Sequence, residues 1–285
     1  MDIIEPKFDI VSNQGESIES MLKFITFCAY TCYKTEKIIT TDVATKFVDG
    51  LIKSGHTAML EHGTVFLAIP ADAVNGVDAK PVRLLLSKQL WTRYTEKIID
   101  GKMWLMIVTN FRVIVENNLM EFMKKRWYCP TKDEKMCRPT VKFTADIHFY
   151  KDCTRHRVFS WAIESTRWCN YIKDKFGHSV TFMKPSWLKE DDFNELQEDC
   201  KIIESIYFKW IEKGYPQECA AYFLSQGVKA DVIMTGFVDD WEDFFNKRAL
   251  GKTGKPHPDV VNLVKPLYEE FKNRHIISND EISDD

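Results

Sequence analysis

A chain of 285 residues with 45% hydrophobic content is long enough to bury a sizeable core. A net charge of −3 and a pI near 6.2 exclude the broad basic surface that duplex nucleic acid demands, so any phosphate recognition must be local. Apolar runs fall short of the roughly eighteen residues of a membrane span, and Met1-Asp2-Ile3-Ile4-Glu5-Pro6-Lys7 is acidic rather than basic ahead of its apolar residues, so the expected location is the cytoplasm.

Hydrophobic residues at three- and four-residue steps predict an amphipathic helix over 17–33 (Ile18, Met21, Leu22, Ile25, Cys28) and another over about 41–54 (Val43, Phe47, Val48, Leu51, Ile52), with Gly55 placed to stop it. His56, Glu61 and His62 follow, just before the strand-like run 65–69. A second strand is expected at 103–109 and a helix at 110–126, whose closing Lys124-Lys125-Arg126 would complement the helix dipole. Residues 141–149 alternate Val141, Phe143, Ala145, Ile147 and Phe149 with polar partners, a strand signal that leads into Arg155-His156-Arg157. Read as a helix, 158–170 would then bring Arg157, Ser165 and Arg167 to neighbouring positions. Further helices are expected at 191–213, from about Pro216, around 239–248, and at 258–274, where Pro266 should kink or split the last one. From Ile276 to Asp285 the chain is a polar, acidic tail expected to fray.

Long helices with a few non-adjacent strands predict an α+β fold. Without a linker, low-complexity tract or repeat, the chain reads as one compact unit, residues 1–285. The eight cysteines form no CxxC and the seven histidines no HExxH, so reduced structural thiols are expected and no metal site. Two guanidiniums and an imidazole in Arg155-His156-Arg157 repel one another unless something anionic lies opposite, which makes an anionic ligand the first functional hypothesis. A solvated basic surface run is the plainer alternative.

RHR-x7-Ser from Arg155 to Ser165, with Arg167 two further on, follows Gly55-His56-x3-Leu60-Glu61-His62-Gly63 and precedes Pro216-Gln217-Glu218, Arg248 and His257-Pro258. In that order, with Thr31-Cys32-Tyr33-Lys34 and Glu164-Ser165-Thr166-Arg167-Trp168-Cys169-Asn170-Tyr171, these segments resemble the flavin-dependent thymidylate synthases. The resemblance covers nearly the whole chain, with about 70–140 similar to an insertion carried by one branch of the family. It implies a small, mainly antiparallel sheet with long helices and methylation of dUMP to dTMP. Methylenetetrahydrofolate would be the carbon donor, FAD the hydride carrier and NADPH the reductant. It further implies that Arg155, His156, Arg157, His56, Glu61 and His257 serve FAD or the folate side of the pocket. Asp152, Glu164, Ser165, Arg167 and Arg248 would bind dUMP, with Ser165 and Arg248 nearest the chemistry, in a homotetramer, or a hetero-oligomer, that shares sites between subunits. No Pro-Cys-His of the cysteine-dependent synthases occurs, and Cys129 reads as a loop residue.

The sequence departs from the family pattern at Ala221, where an Arg for dUMP is usual, at Phe237 and Asp239, where an Asn and an Arg usually meet the flavin, and at Ile163 and Asp259. Lys229, Lys247 or Lys252 are the nearby cations that would compensate. Two alternatives to a working synthase stay open. One is a degenerate or repurposed member that binds nucleotide or flavin, or acts as a pyrimidine hydroxymethylase. The other is a single-stranded nucleic-acid-binding protein using the RHR cluster with Trp161, Trp168 and Tyr171.

Overall fold

The structure is a computed structural model that describes residues 1–11, 15–132, 134–165, 167, 169, 171 and 177–278. In chain order it has β1 (Asp2–Ile4), β2 (Lys7–Val11), α1 (Ile18–Tyr33), α2 (Thr41–Ser54), a 3-10 turn (Thr57–His62), β3 (Thr64–Pro70), α3 (Ala71–Val74) and α4 (Ala79–Leu86). Next come β4 (Arg93–Ile99), β5 (Lys102–Asn110), α5 (Phe111–Glu116), α6 (Met120–Arg126), β6 (Thr140–Asp146), α7 (Ile147–Cys153), β7 (Ser160–Ile163) and β8 (Thr181–Met183). The chain continues with α8 (Phe193–Glu212), α9 (Gln217–Ala220), β9 (Lys229–Thr235), α10 (Val238–Arg248) and α11 (Pro258–Asn273). The architecture is α+β, as expected. No helix among the described residues is long and apolar enough to cross a membrane.

Two compact units form, the first from Met1–Val11, Thr31–Thr35 and Thr140–Asp285, the second from Ser12–Tyr30 and Glu36–Pro139. The stretch expected as an insertion, about 70–140, lies in the second unit up to Pro139, together with α2 and the first part of α1.

In the second unit, β3, β5 and β4 form an antiparallel sheet in that order, with Leu67 opposite Ile107. Its buried side packs with Ile25, Leu60, Phe111 and Met123 into one apolar core. Helix α2 has the expected bounds: the Thr40 hydroxyl accepts from Val43 N, and Gly55 closes the last turn at φ 74°, a left-handed conformation that a Cβ would strain. The helix expected over 110–126 is instead two. Asn118 adopts φ 57°, and the Asn117 amide donates to the Val113 carbonyl at 2.8 Å, so side-chain hydrogen bonding ends α5 before α6 begins.

In the first unit, β2, β6, β9 and β7 form a fully antiparallel sheet in that order, and β1 pairs with β8 in parallel. Two sequence expectations are corrected here. The strand expected through 149 ends at Asp146, whose carboxylate accepts from Phe149 N at 2.6 Å and so caps α7. The cationic cluster therefore follows the C-terminal end of a helix and does not open one. The helix expected over 158–170 is also overturned, because Ser160–Ile163 is strand β7, with Ser160 and Ala162 buried and Ile163 opposite Val232 of β9. A period-two burial pattern suits the open edge of β9 better than a helical face. Thr166, Trp168 and Asn170 lie outside the described residues, as do residues 279–285 of the tail.

Helix α11 runs through Pro266 without a break. Pro266 and Asn262, whose carbonyl it leaves without an amide partner, are both exposed, where water can serve that carbonyl. Opposite faces of α10 and α11 meet through aromatic rings: Trp241 and Phe271 centroids are 5.1 Å apart, Phe245 and Phe271 5.0 Å, and Phe159 packs edge-on against Trp241 at 5.0 Å.

Gly236, just past β9, has no room for a side chain: a Cβ there would lie 2.4 Å from the Phe159 ring. Gly236→Ala should destabilise the protein by about 1–3 kcal/mol, read as a lower urea midpoint with unchanged slope. An unmoved midpoint would mean that the ring swings aside at no cost.

Candidate functional site

Arg155-His156-Arg157 alternates out, in, out: the imidazole points into the first unit and both guanidiniums are exposed. The His156 side chain is 8% exposed and lies edge-on to Phe244, with ring centroids 5.0 Å apart. Arg248, the last residue of α10, donates from Nε to His156 Nε2 at 3.1 Å, from Nη1 to Asp152 Oδ2 at 3.1 Å and from Nη2 to the Asp152 carbonyl at 2.8 Å. One guanidinium thus satisfies a C-terminal carbonyl of α7, pairs with a carboxylate and fixes an imidazole. Burial first, and the Arg248 cation second, push His156 down to about 4, so at neutral pH it is the uncharged acceptor that Arg248 requires. Arg155 and Arg157 are exposed and have no ion-pair partner among the described residues.

Strand β7 carries the chain from this cluster to Glu164 and Ser165. Glu164 and Asp231 are 4% and 6% exposed and sit side by side, because Ile163 pairs with Val232 and Glu164 N donates to the Asp231 carbonyl at 2.8 Å. Lys229 Nζ lies 2.6 Å from Glu164 Oε2 and 2.9 Å from Asp231 Oδ2, Lys34 Nζ lies 2.7 Å from Asp231 Oδ2, and Thr144 Oγ1 donates to Asp231 Oδ1 at 2.8 Å. Lys142 Nζ stands 3.7 Å from Asp231. Burial alone would raise the Asp231 carboxyl, but Lys229 and Lys34 outweigh it and hold Asp231 well below the usual carboxylate range. Ser165 is half-buried, its amide donating to the Cys32 carbonyl at 3.1 Å. Arg167 is exposed and its Nε meets Glu218 at 3.3 Å, while the Gln217 amide donates to the Arg167 carbonyl, so α9 is tied to this segment.

Near the start of α11, His257 caps the helix by accepting from Asp259 N at 3.3 Å, and its ring lies 4.2 Å from that of His148. Asp259, one of the departures from the family pattern, accepts from Ser186 N and Oγ and from Trp187 Nε1. Phe237 is buried, and Asp239 is exposed.

The first unit therefore gathers Asp152, Arg155, His156, Arg157, Glu164, Ser165, Arg167, Arg248 and His257. His56 and Glu61 belong to the second unit, where His56 is exposed and the Glu61 carboxylate accepts from Arg112 Nη1 at 2.7 Å. Several expected ligand contacts are spent internally: Glu164 on Lys229, Arg248 on Asp152 and His156. Lys229, a candidate to offset Ala221, is saturated by two carboxylates, and Lys247 pairs with Asp243 at 2.7 Å. For stacking on single-stranded bases, Tyr171 is 5% exposed and packs on Tyr207, Trp161 is half-buried, and Trp168 lies outside the described residues. The sequence reading missed Asp231, Thr144 and Lys142; the available signal was an Asp inside the apolar run Ala230–Met234.

The sequence pattern of the family described as thymidylate synthase complementing protein matches residues 134–275. The chain belongs to the flavin-dependent thymidylate synthase family, as a divergent member. It is 26% identical over 129 residues to a probable flavin-dependent thymidylate synthase of Paramecium bursaria Chlorella virus 1, covering 41% of this chain and 60% of that one. It is 33% identical over 98 residues to the flavin-dependent thymidylate synthase of Pyrococcus furiosus, covering 33% and 38%. The chain thus spans less than two thirds of the length of these curated relatives. Among solved structures, a UMP/dUMP methylase, PolB from Streptomyces cacaoi, is similar at a TM-score of 0.43 and 11% identity over 96% of this chain and 93% of that one with 5-Br dUMP bound. With 5-Br UMP bound the TM-score is 0.45 and the identity 10%.

The neutral His156 sets a pH dependence. Unfolding frees it to titrate near its ordinary 6.5, whereas in the fold it stays uncharged down to about 4. Between those values the unfolded chain binds the extra proton, so the stabilisation is complete above about pH 6.5 and lost as pH falls towards 4, by up to about 3 kcal/mol. A melting temperature that falls across this window, and falls less in His156→Gln, is the expected result.

Proposed function

We propose that this chain methylates dUMP to dTMP, with methylenetetrahydrofolate as carbon donor and NADPH as reductant. The observation that carries the reading is the pair of outward guanidiniums, Arg155 and Arg157, held apart by an inward, neutral imidazole. Two exposed cations without a protein anion among the described residues suit a pyrophosphate, and bidentate arginine is the side chain best matched to it. FAD, held by that pair, would supply the hydride.

In this reading His156 does not touch the cofactor through a charge; it orients its two neighbours. Ser165 and Arg167 bind the dUMP phosphate, Arg167 being exposed and tethered by Gln217 and Glu218. Asp152 positions Arg248, which reaches the pyrimidine only by giving up part of its present hydrogen bonding. His257, His56 and Glu61 are read as serving the flavin or folate on the family resemblance alone. The enzyme works as a homotetramer, or a hetero-oligomer, that shares sites between subunits, in the cytoplasm.

A second reading is favoured by the inward commitment of Arg248 and Glu164 together with Ala221: a member of the family that binds nucleotide or flavin without full turnover, or makes hydroxymethylpyrimidine. Purified protein should be yellow, with a flavin spectrum released on denaturation, and should release tritium from 5-tritiated dUMP only with methylenetetrahydrofolate and NADPH. Flavin binding without tritium release would favour the second reading; a colourless protein that takes up no added FAD would sink both. Arg155→Ala and Arg157→Ala should each weaken FAD binding about ten- to a hundredfold, measured by flavin fluorescence, while dUMP affinity stays near that of the parent.

A further inference from the structure

The cluster around Asp231 lies apart from Arg155 and Arg157, and the family resemblance gives Asp231 and Lys34 no role. Its composition is unbalanced: Lys34, Lys229 and Lys142 face two buried carboxylates, Glu164 and Asp231, and Asp231 also takes the Thr144 hydroxyl. Such a cluster is poorly placed to bind a ligand, because its shortest contacts are already made. It is well placed to hold backbone.

Lys34 gives the second, independent observation. It follows α1 directly, in the left-handed region at φ 49°, where glycine is the usual residue. A lysine in that conformation is strained, and its ammonium is drawn to Asp231 at 2.7 Å and Glu164 at 3.6 Å. Two residues earlier in the chain, the Cys32 carbonyl accepts the Ser165 amide at 3.1 Å. The end of α1 is thus joined to the segment at Glu164 and Ser165 twice, once by charge and once by a backbone hydrogen bond. Glu164 is held a third time, by Lys229 Nζ and by the Asp231 amide, which donates to Glu164 Oε2 at 2.9 Å. Beyond it, Cys169 N donates to the Ser165 carbonyl at 3.0 Å.

We infer that Asp231, Lys34 and Lys229 are positioning residues for the nucleotide site: they clamp Glu164 against β9 and so fix where Ser165 and Arg167 meet the substrate phosphate. Glu164 belongs to this clamp and not to the substrate contacts. The inference rests on the proposed binding of dUMP at Ser165 and Arg167. Because the clamp lies beyond β7 from Arg155 and Arg157, it should act on nucleotide affinity and leave flavin affinity alone.

Two single variants and one double variant test it on the full chain. Asp231→Asn keeps the shape but removes the central charge; Lys34→Gly removes one ammonium while suiting the left-handed backbone, so it should not unfold the protein. Each should weaken dUMP binding at least about tenfold by calorimetry, with FAD binding within about twofold of the parent and, in turnover, a raised KM with kcat little changed. Asp231→Asn combined with Lys34→Met returns the cluster to the parent's net charge but still lacks the clamp, so it should regain melting temperature and not dUMP affinity. Unchanged dUMP affinity in both single variants alongside a lower melting temperature would overturn the inference in favour of a purely structural cluster, as would a combined variant that binds dUMP as tightly as the parent. If the parent protein binds no dUMP, the proposed function fails and the clamp is read separately by hydrogen exchange. The Ser165 and Cys169 amides should then exchange at least about tenfold faster in Asp231→Asn than in the parent, and equal protection would overturn the clamp.

Discussion

Asp231 occupies β9, a strand paired on both sides, and is 6% exposed, so its carboxylate must be neutralised where it stands. An ion of that kind, left unpaired in a dry interior, costs several kcal/mol. Its neutralisation draws Lys34 from the end of α1, Lys229 from its own strand and Thr144 from β6. Glu164 joins because the register of β7 leaves it beside Asp231. A single buried charge thereby connects three strands and a helix end in the first unit. Replacing the whole set with apolar residues could leave the fold as stable; what the ions add is a fixed register for the segment that carries Ser165.

The second organising contact is the Arg248 guanidinium. Its three donors reach α7 and the imidazole of His156, and by holding that ring inward it leaves Arg155 and Arg157 pointing to solvent. A neutral histidine between two arginines removes one of three like charges from the cluster, which lowers its self-repulsion. The cluster is therefore built as two cations and an anchor. That division is physically consistent with a site for a doubly anionic group, and it assigns His156 a different task from its neighbours.

Departures from the family pattern have local structural explanations in most cases. Asp259 is consumed by Ser186 and Trp187, Phe237 is part of the buried interior, and Ile163 faces Val232 across β7 and β9. Nothing in the structure explains Ala221. At Asp259, Phe237 and Ile163 the side chains serve packing and internal hydrogen bonds, in the same half of the chain that matches the family.

The sequence by itself determined the family, the α+β class, the helices with strong three- to four-residue periodicity and the spacing from Arg155 to Ser165. Those properties are encoded in local pattern and residue type: the bounds of α2 were legible because its apolar period is regular and Gly55 stops it with its own chemistry. Only the tertiary structure decided that 160–163 is a strand, that α7 separates β6 from the arginines, and which way each charged side chain turns. Strand β7 exists because β9 offers it an edge, and the direction of Glu164, His156 and Arg248 depends on Asp231, Phe244 and Asp152, which are tens of residues away. Periodicity reports a segment's own faces; the pairing of a strand or the neutralisation of a buried charge depends on partners that the fold alone brings near.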